Sequence, residues 1–244
     1  MAMSIIITTA MASTTMTTEA PLTSIAATLR LLAWLSPAFP TGGFAWSHGV
    51  EWAVESGDIC DGASLRAWLE PVIRQGSART DAIILRHAHR AAGDIDVLAG
   101  ITELALAAQA SRERYAEATG QGNAFRLAAG PWQPAVLTAL SAREPNIPYP
   151  VAVGAMAGAN AIAEDLACAA YVQTLAANLI SAAVRLVPLG QSTGLAVLAA
   201  LEPAITAVAA ETRAATLDDL GGACFRSDLA AMRHETQYTR LFRS

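Results

Sequence analysis

Between Ser64 and Arg74 the chain reads SLRAWLEPVIR, with apolar side chains at Leu65, Trp68, Leu69, Val72 and Ile73. Those positions stand at i, i+3, i+4, i+7 and i+8, so all five share one face of an α-helix. Pro71 removes one backbone hydrogen bond within that helix and predicts a kink. Working outward, helical patterns cover most of the chain. On the N-terminal side they span Ser24 to Ser36, where Ile25, Leu29, Leu32 and Leu35 supply an apolar stripe, and Phe44 to Ser56, closed by Gly57. On the C-terminal side they span Arg79 to Ala92, Ile95 to Ala110, Ser111 to Ala129, Asp165 to Val187, Thr193 to Leu201, and Pro203 to Ala215 with Pro203 in its first turn. A last helix starts near Ser227 and runs into the C-terminal residues.

Composition points the same way. Of the 244 residues, 53 % are hydrophobic, ample for a core, while aromatic and charged residues are sparse. Alanine and leucine dominate, and both lose little side-chain freedom in a helix. The expected fold is all-α: a single-domain bundle of about ten helices. The proline-rich REPNIPYP (Arg143 to Pro150) reads as a connection within one core, since both flanks are alanine-rich and alike. No long-period repeat occurs, which removes solenoids. Residues 1–23 read as a disordered leader, 24–231 as the helical domain and 232–244 as a tail with a separate role.

Charge excludes several chemistries. All 16 basic residues are arginine and none is lysine, so there is no phosphate-loop lysine, Schiff base or lysine general base. The net charge of −5, without a basic run, argues against nucleic acid as a partner. Cys60, Cys168 and Cys224 are isolated thiols, each expected to be buried and structural, and suit a reducing, cytoplasmic setting. The leader has no basic residue before Arg30 and fails as a signal peptide. Gln173, Asn178, Arg185, Gln191 and Glu202 interrupt the most apolar region, so no membrane span is expected.

Candidate motifs are few. Gly42-Gly43 before a helix fits a close-packing turn better than an anion cradle, because neither phosphate-loop spacing is present. His87 and His89 stand two apart on a helix, diverge, and read as independent surface residues. His48 and Glu51, at i and i+3, face one way but make no closed metal site by themselves. No nucleophile elbow occurs, and the adjacent carboxylates Glu164-Asp165 and Asp218-Asp219 diverge on a helix. Nothing in the pattern argues for an enzyme.

Two segments look made for contact. On the Asp165–Val187 helix, Thr174, Asn178, Ser181 and Arg185 form a polar stripe beside an apolar one, Leu175, Leu179, Ala182 and Leu186. A solvated face normally carries charge, so this stripe reads as a subunit interface, an internal hydrogen-bond network or an exposed edge. It runs into RLVPLGQSTG (Arg185 to Gly194), a loop with a phosphate cradle, a plain connection and a surface for another protein as competing uses. The tail MRHETQYTRLFRS (Met232 to Ser244) sets three arginines against one glutamate and adds Tyr238, Leu241 and Phe242, the residue types enriched at interfaces.

With these pieces in place the chain resembles the urease accessory protein UreF family from Leu31 to Ser244. The resemblance rests on SPAFPTGGFAWSHGVE (Ser36 to Glu51), SRER (Ser111 to Arg114), YPVAVG (Tyr149 to Gly154), NLISAAVRLVPLGQSTG (Asn178 to Gly194) and RHETQYTRLFRS (Arg233 to Ser244). Trp46 stands where tyrosine is common, Ser192-Thr193 fill a variable pair, and the threonine-rich leader is not a family feature. The resemblance implies a non-enzymatic, cytoplasmic homodimer with no cofactor of its own. It binds UreD (also called UreH) and the GTPase UreG and helps deliver nickel to apo-urease, while nickel and GTP are handled by partners.

The resemblance also places UreD at the terminal regions, so Arg233, His234, Glu235, Tyr238, Arg240, Leu241, Phe242 and Arg243 are expected to order on that partner. Phe44, Ser47, His48 and Glu51 are expected to line the face toward UreG or passing nickel. Arg185, Pro188, Leu189, Gly190, Gln191 and Gly194 are expected to shape a shared surface. Arg185, Arg240 and Arg243 are candidates for stimulating the partner GTPase. The competing reading is an independent nickel metallochaperone.

Overall fold

The computed structural model describes residues 25–244, so the leader and Ser24 lie outside the described residues. Among the described residues there are eleven α-helices and no strand. They are α1 (Ile25–Trp34), α2 (Val50–Glu55), α3 (Gly62–Gln75), α4 (Ser77–Arg90), α5 (Ile95–Ala107), α6 (Arg112–Ala128), α7 (Ala135–Ser141), α8 (Tyr149–Ala159), α9 (Glu164–Leu186), α10 (Gly190–Glu211) and α11 (Phe225–His234). Side chains set several starts. Asp61 and Ser64 form a reciprocal capping box before α3, Asp94 caps α5, and Ser111 Oγ accepts the Arg114 N–H at the head of α6.

α8 is the centre, buried on every side from Tyr149 to Ala157 and packed on α4, α5, α6, α7 and α9. Its apolar residues have no helical period because every face is covered, so it gives no amphipathic signal. Close approach to α4 depends on two glycines: a Cβ at Gly154 would collide with Leu85 O, and one at Gly158 with His89 O. Against this layer lies an aromatic cluster. Trp34 meets Phe125 and Trp132 edge-on at centroid separations of 6.1 and 5.9 Å, and Tyr149 lies 5.3 Å from Tyr171.

Arg86 ties α4 to α9 and α10 from a buried position. Its guanidinium donates to Thr212 Oγ1 at 3.1 Å, to Asp165 Oδ1 at 2.8 Å, and to Glu164 Oε1 and Ala209 O. Glu164 and Asp165 therefore converge on one cation instead of diverging, because the first turn of α9 lies across the side of α4. Burial raises the Glu164 pKa, but the bonds and charges of Arg90 and Arg86 prevail and hold it below the ordinary carboxylate range. The Arg213 hydrogen bond leads the corresponding lowering at Asp165.

Other expectations are corrected by packing. α1 buries Ala27, Leu31 and Trp34; of the expected stripe only the flanking Leu35 is buried, while Ile25, Leu29 and Leu32 face outward, 81 %, 60 % and 66 % exposed. The Phe44–Ser56 helix is a short 3-10 turn, Gly43–Ala45, and then α2, because His48 (φ 60°) and Gly49 (φ 81°) take left-handed backbone between them. α3 continues through Pro71, and Pro203 lies inside α10 instead of starting a second helix. The predicted loop after Arg185 shrinks to Val187–Leu189, since α9 reaches Leu186 and α10 begins at Gly190. α7 and α8 were not expected as helices. α11 stops at His234, and the chain then turns back on the body.

Polar side chains also differ. His87 and His89 are half-buried, with Nε2 against Ala215 O at 3.1 Å and Ile162 O at 2.7 Å. Cys168 is buried as expected, Cys224 is half-buried and Cys60 is exposed. By length and composition alone α9 and the stretch Gly190–Ala214 could cross a membrane. Here they pack on each other and on α3, with half of the most apolar part of α9 buried in the fold.

Candidate functional site

The quoted motifs, far apart in sequence, meet around the C-terminal residues. α11 packs on α2 and α6, which carries His234 between two carboxylates. His234 Nε2 lies 2.9 Å from Glu51 Oε2 and Nδ1 lies 2.7 Å from Glu113 Oε2, with the ring fully enclosed. Each ring nitrogen thus faces a carboxylate oxygen. Glu113 Oε1 also accepts from Arg240 Nη1 at 2.8 Å. Past the turn, the Leu241 and Phe242 N–H groups donate to Glu51 Oε1 at 2.7 Å and Oε2 at 2.9 Å. One carboxylate on α2 thus holds both the end of α11 and the tail backbone.

A second anchor lies beside it. Arg243 N–H donates to Ala45 O at 2.8 Å, Ser47 N–H donates to Ser244 O at 2.9 Å, and Ser47 Oγ donates to the same oxygen. Ser244 Oγ accepts the His48 N–H at 3.1 Å and donates to Glu117 Oε2 at 3.1 Å. Arg114 Nη1 donates to that same Glu117 oxygen at 2.6 Å and to His48 Nδ1. Arginine only donates, so His48 Nδ1 accepts, and Nε2 carries the hydrogen toward Ser77 Oγ, 2.6 Å away. The left-handed backbone at His48 is what turns this ring inward.

Beneath the anchor is a small hollow of about 30 Å³, room for about one water, walled by Gly43, Trp46, Asp81, Arg114, Glu117, Gln121, Tyr149, Tyr171 and Asn178 among others. Asp81 is buried there and accepts the Tyr171 hydroxyl at 2.8 Å. Burial pushes the Asp81 carboxyl up to about 7, against the lowering effect of the Tyr171 bond and with help from Glu117. Burial likewise drives both tyrosines upward, Tyr149 and Tyr171, the latter well above its usual range.

The residues singled out from the sequence divide sharply by exposure. Ser47, His48 and Glu51 are buried, the last two at 3 % and 5 % exposure, so of that group only Phe44 lies on the outer surface. His48 and Glu51 do not face a common ligand: His48 serves Ser77 and Arg114, Glu51 serves His234 and the tail. In the tail, Arg233, Tyr238, Arg240, Leu241 and Arg243 are exposed, Glu235 is half-buried and accepts the Arg112 N–H at 2.9 Å, and His234 and Phe242 are enclosed. Arg185 caps the Phe242 ring with its guanidinium carbon 4.3 Å from the centroid, and Arg243 stands 5.8 Å from Trp46. Burial lowers the pKa of Arg185.

Around Arg185, Pro188, Gly190 and Gln191 are exposed, Leu189 is half-buried, and Gly194 is buried against Ile180 and Val184. On the polar stripe of α9, Asn178 lies beside Gly43, Thr174 reaches Leu35 O at 3.4 Å, and Ser181 is exposed. Glu113, Arg114 and Ser244 stand within quoted motifs without an assigned role, and Glu117, Gln121, Asp81 and Tyr171 carry no sequence-based expectation. A signal was present for part of this set: Glu113, Glu117 and Gln121 fall at i, i+4 and i+8 on α6.

A family model described as UreF matches residues 59–202. The chain belongs to the UreF family. It is 54 % identical to the urease accessory protein UreF of Bradyrhizobium sp. (strain BTAi1) over 219 residues, covering 88 % of this chain and 91 % of that one. It is 50 % identical to the UreF of Rhodopseudomonas palustris (strain BisA53), covering 90 % and 94 %. It is also 50 % identical to the UreF of Methylobacterium sp. (strain 4-46), covering 88 % of each. The family assignment makes this a urease accessory protein and gives the converging motifs a context: they form a buried clasp for the tail, with a rim of exposed aromatic, apolar and arginine side chains.

Proposed function

We propose that this chain is a non-catalytic, cytoplasmic scaffold of urease maturation. It holds UreD/UreH and the GTPase UreG against the urease apoprotein while nickel is delivered at the expense of GTP hydrolysed by the partner. The supporting observation is the tail, whose anchor is internal while Tyr238 is fully exposed and Leu241 is 75 % exposed. Large side chains held outward by a buried clasp are suited to dock a partner. The row Phe225, Leu229 and Met232 on α11 extends the same surface at i, i+4 and i+7. Of the three arginines considered for GTPase stimulation, Arg240 is paired with Glu113 and Arg185 is stacked on Phe242, which makes them part of the clasp.

The independent nickel chaperone has less support. His48, His87, His89 and His234 each have a hydrogen-bond partner, and among the described residues no group of three or more metal-binding side chains occurs. A homodimer has a supporting surface. Leu32, Leu166 and Ala170 line an uncharged groove of about 450 Å³ between α1 and α9, beside exposed Leu29. A patch without charge can meet its own copy across a two-fold axis without repulsion.

The scaffold reading is tested by co-expression with UreD. Replacing Tyr238→Ala together with Leu241→Ser spares the clasp and is expected to weaken the co-purified complex by about tenfold or more. A complex of unchanged affinity would remove the tail surface as the docking site.

A further inference from the structure

Asp81 occupies a wall between two hollows. On one side is the inner hollow below Trp46. On the other is an outer polar pocket of about 70 Å³ lined by Ser77, Thr80, Gly221, Gly222 and Asp228. Asp81 and Arg114 line both. Arg114 is therefore placed to serve either of two buried carboxylates, and its hydrogen bonds go to Glu117 and His48.

We propose that Asp81 is a proton-operated release for the C-terminal tail: when it loses its proton it competes with Glu117 for Arg114, and the Ser244 anchor loosens. With Asp81 protonated, Glu117 is the carboxylate hydrogen-bonded to Arg114, and Glu117 in turn holds Ser244 Oγ. With Asp81 ionised, two carboxylates share one cation across a hollow of low dielectric, where an unpaired charge is costly. Drawing Arg114 toward Asp81 takes the cation from Glu117 and the donor from His48 Nδ1. Both of those groups hold Ser244, the one through its side chain and the other through its backbone N–H.

The groups facing Asp81 set the direction of the response. From α9 the Tyr171 hydroxyl donates to it and favours the ionised form. From α6 comes the opposing effect of Glu117, with the cation Arg114 lining the same two hollows, and from α8 the Tyr149 ring, which packs on Tyr171. From α11, Asp228 shares the outer pocket; burial holds its own carboxyl above the ordinary range, against the pull of Arg114. His48 approaches through Ser77 on the α4 side. Burial dominates, so the proton leaves Asp81 near neutrality, and the tail is clasped below that pH and released above it.

Hydrogen exchange of the full chain tests this, corrected for the intrinsic effect of pH and read at the amides of Ser47, His48, Leu241 and Phe242. In the unmodified protein their protection is expected to fall about tenfold or more between about pH 6 and about pH 8, while amides in α8 stay unchanged. Asp81→Asn is expected to abolish that fall. Tyr171→Phe removes the hydroxyl that favours ionisation and is expected to shift the midpoint to higher pH. It keeps the proposal falsifiable should Asp81→Asn fold poorly. The same pH-dependent fall in Asp81→Asn, or an unmoved midpoint in Tyr171→Phe, would overturn the proposal.

Discussion

Glu51 accepts the backbone N–H of Phe242 at 2.9 Å across 191 positions of sequence. Because Glu51 also accepts from Leu241 and His234, it is the point at which α2, α11 and the tail become one unit. Glu51→Ala leaves two buried donors and one part-buried donor without an acceptor. The expected loss is about 3–5 kcal/mol, the cost of breaking a buried charged network by removing one member. Denaturant melts of variant and parent would measure it, and a loss below about 1 kcal/mol would show that the clasp is not stabilising.

Arg86 is the corresponding centre on the opposite layer. Arg86→Ala removes a fully enclosed cation with four acceptors and is expected to cost about 3–5 kcal/mol. Arg86→Lys is expected to recover little of it, since an ammonium cannot reach those acceptors in a planar fork. The signs of the Glu164 and Asp165 shifts add a pH signature. Both pKa values are lowered in the fold, so their contribution is complete at neutral pH and is lost as pH falls through the carboxylate range. Melting temperature against pH should therefore drop less steeply on acidification in Arg86→Ala than in the parent.

Asp81 has the opposite sign. Its carboxyl moves from an ordinary 3.8 up to about 7 on folding, so the folded state binds the proton more tightly. Stability is favoured below about pH 4 and declines as pH rises toward 7. Asp81→Asn removes that dependence, and the gap in unfolding free energy between parent and variant should change by a few kcal/mol over this range. A gap independent of pH would place the titration elsewhere.

The outward stripe of α1 gives a test of assembly. Leu29→Glu with Leu32→Glu adds charge at positions already 60 % and 66 % exposed, so the monomer fold is expected to change by less than about 1 kcal/mol. Light scattering of the purified protein should show a dimer for the parent and a monomer for the double variant. A double variant that remains dimeric would move the interface to another face.

Helical character was legible because it is local. The i, i+3, i+4 spacing of Leu65, Trp68 and Leu69 and the abundance of alanine and leucine both act within a few residues. The motifs that carry the family were also legible as strings, from SPAFPTGGFAWSHGVE to RHETQYTRLFRS. So were the exclusions that follow from having no lysine.

What the tertiary structure decided is direction and partnership. Ile25, Leu29 and Leu32 look like a core stripe in isolation, but the neighbouring face with Leu31 and Trp34 meets the body, because only that face brings an indole into the aromatic cluster. α8 gave no signal since full burial erases periodicity. Pro203 sits within α10, where packing overrides the local cost of the missing N–H. His48 and Glu51 share a spacing that suggests one ligand, yet the left-handed turn at His48 sends them to different partners. The clasp itself joins residues up to 197 positions apart, and no local rule specifies which carboxylate receives which donor. Periodicity and composition act along the chain and can be read there; burial, charge pairing and the acid constant of Asp81 depend on groups that become neighbours only when the helices pack.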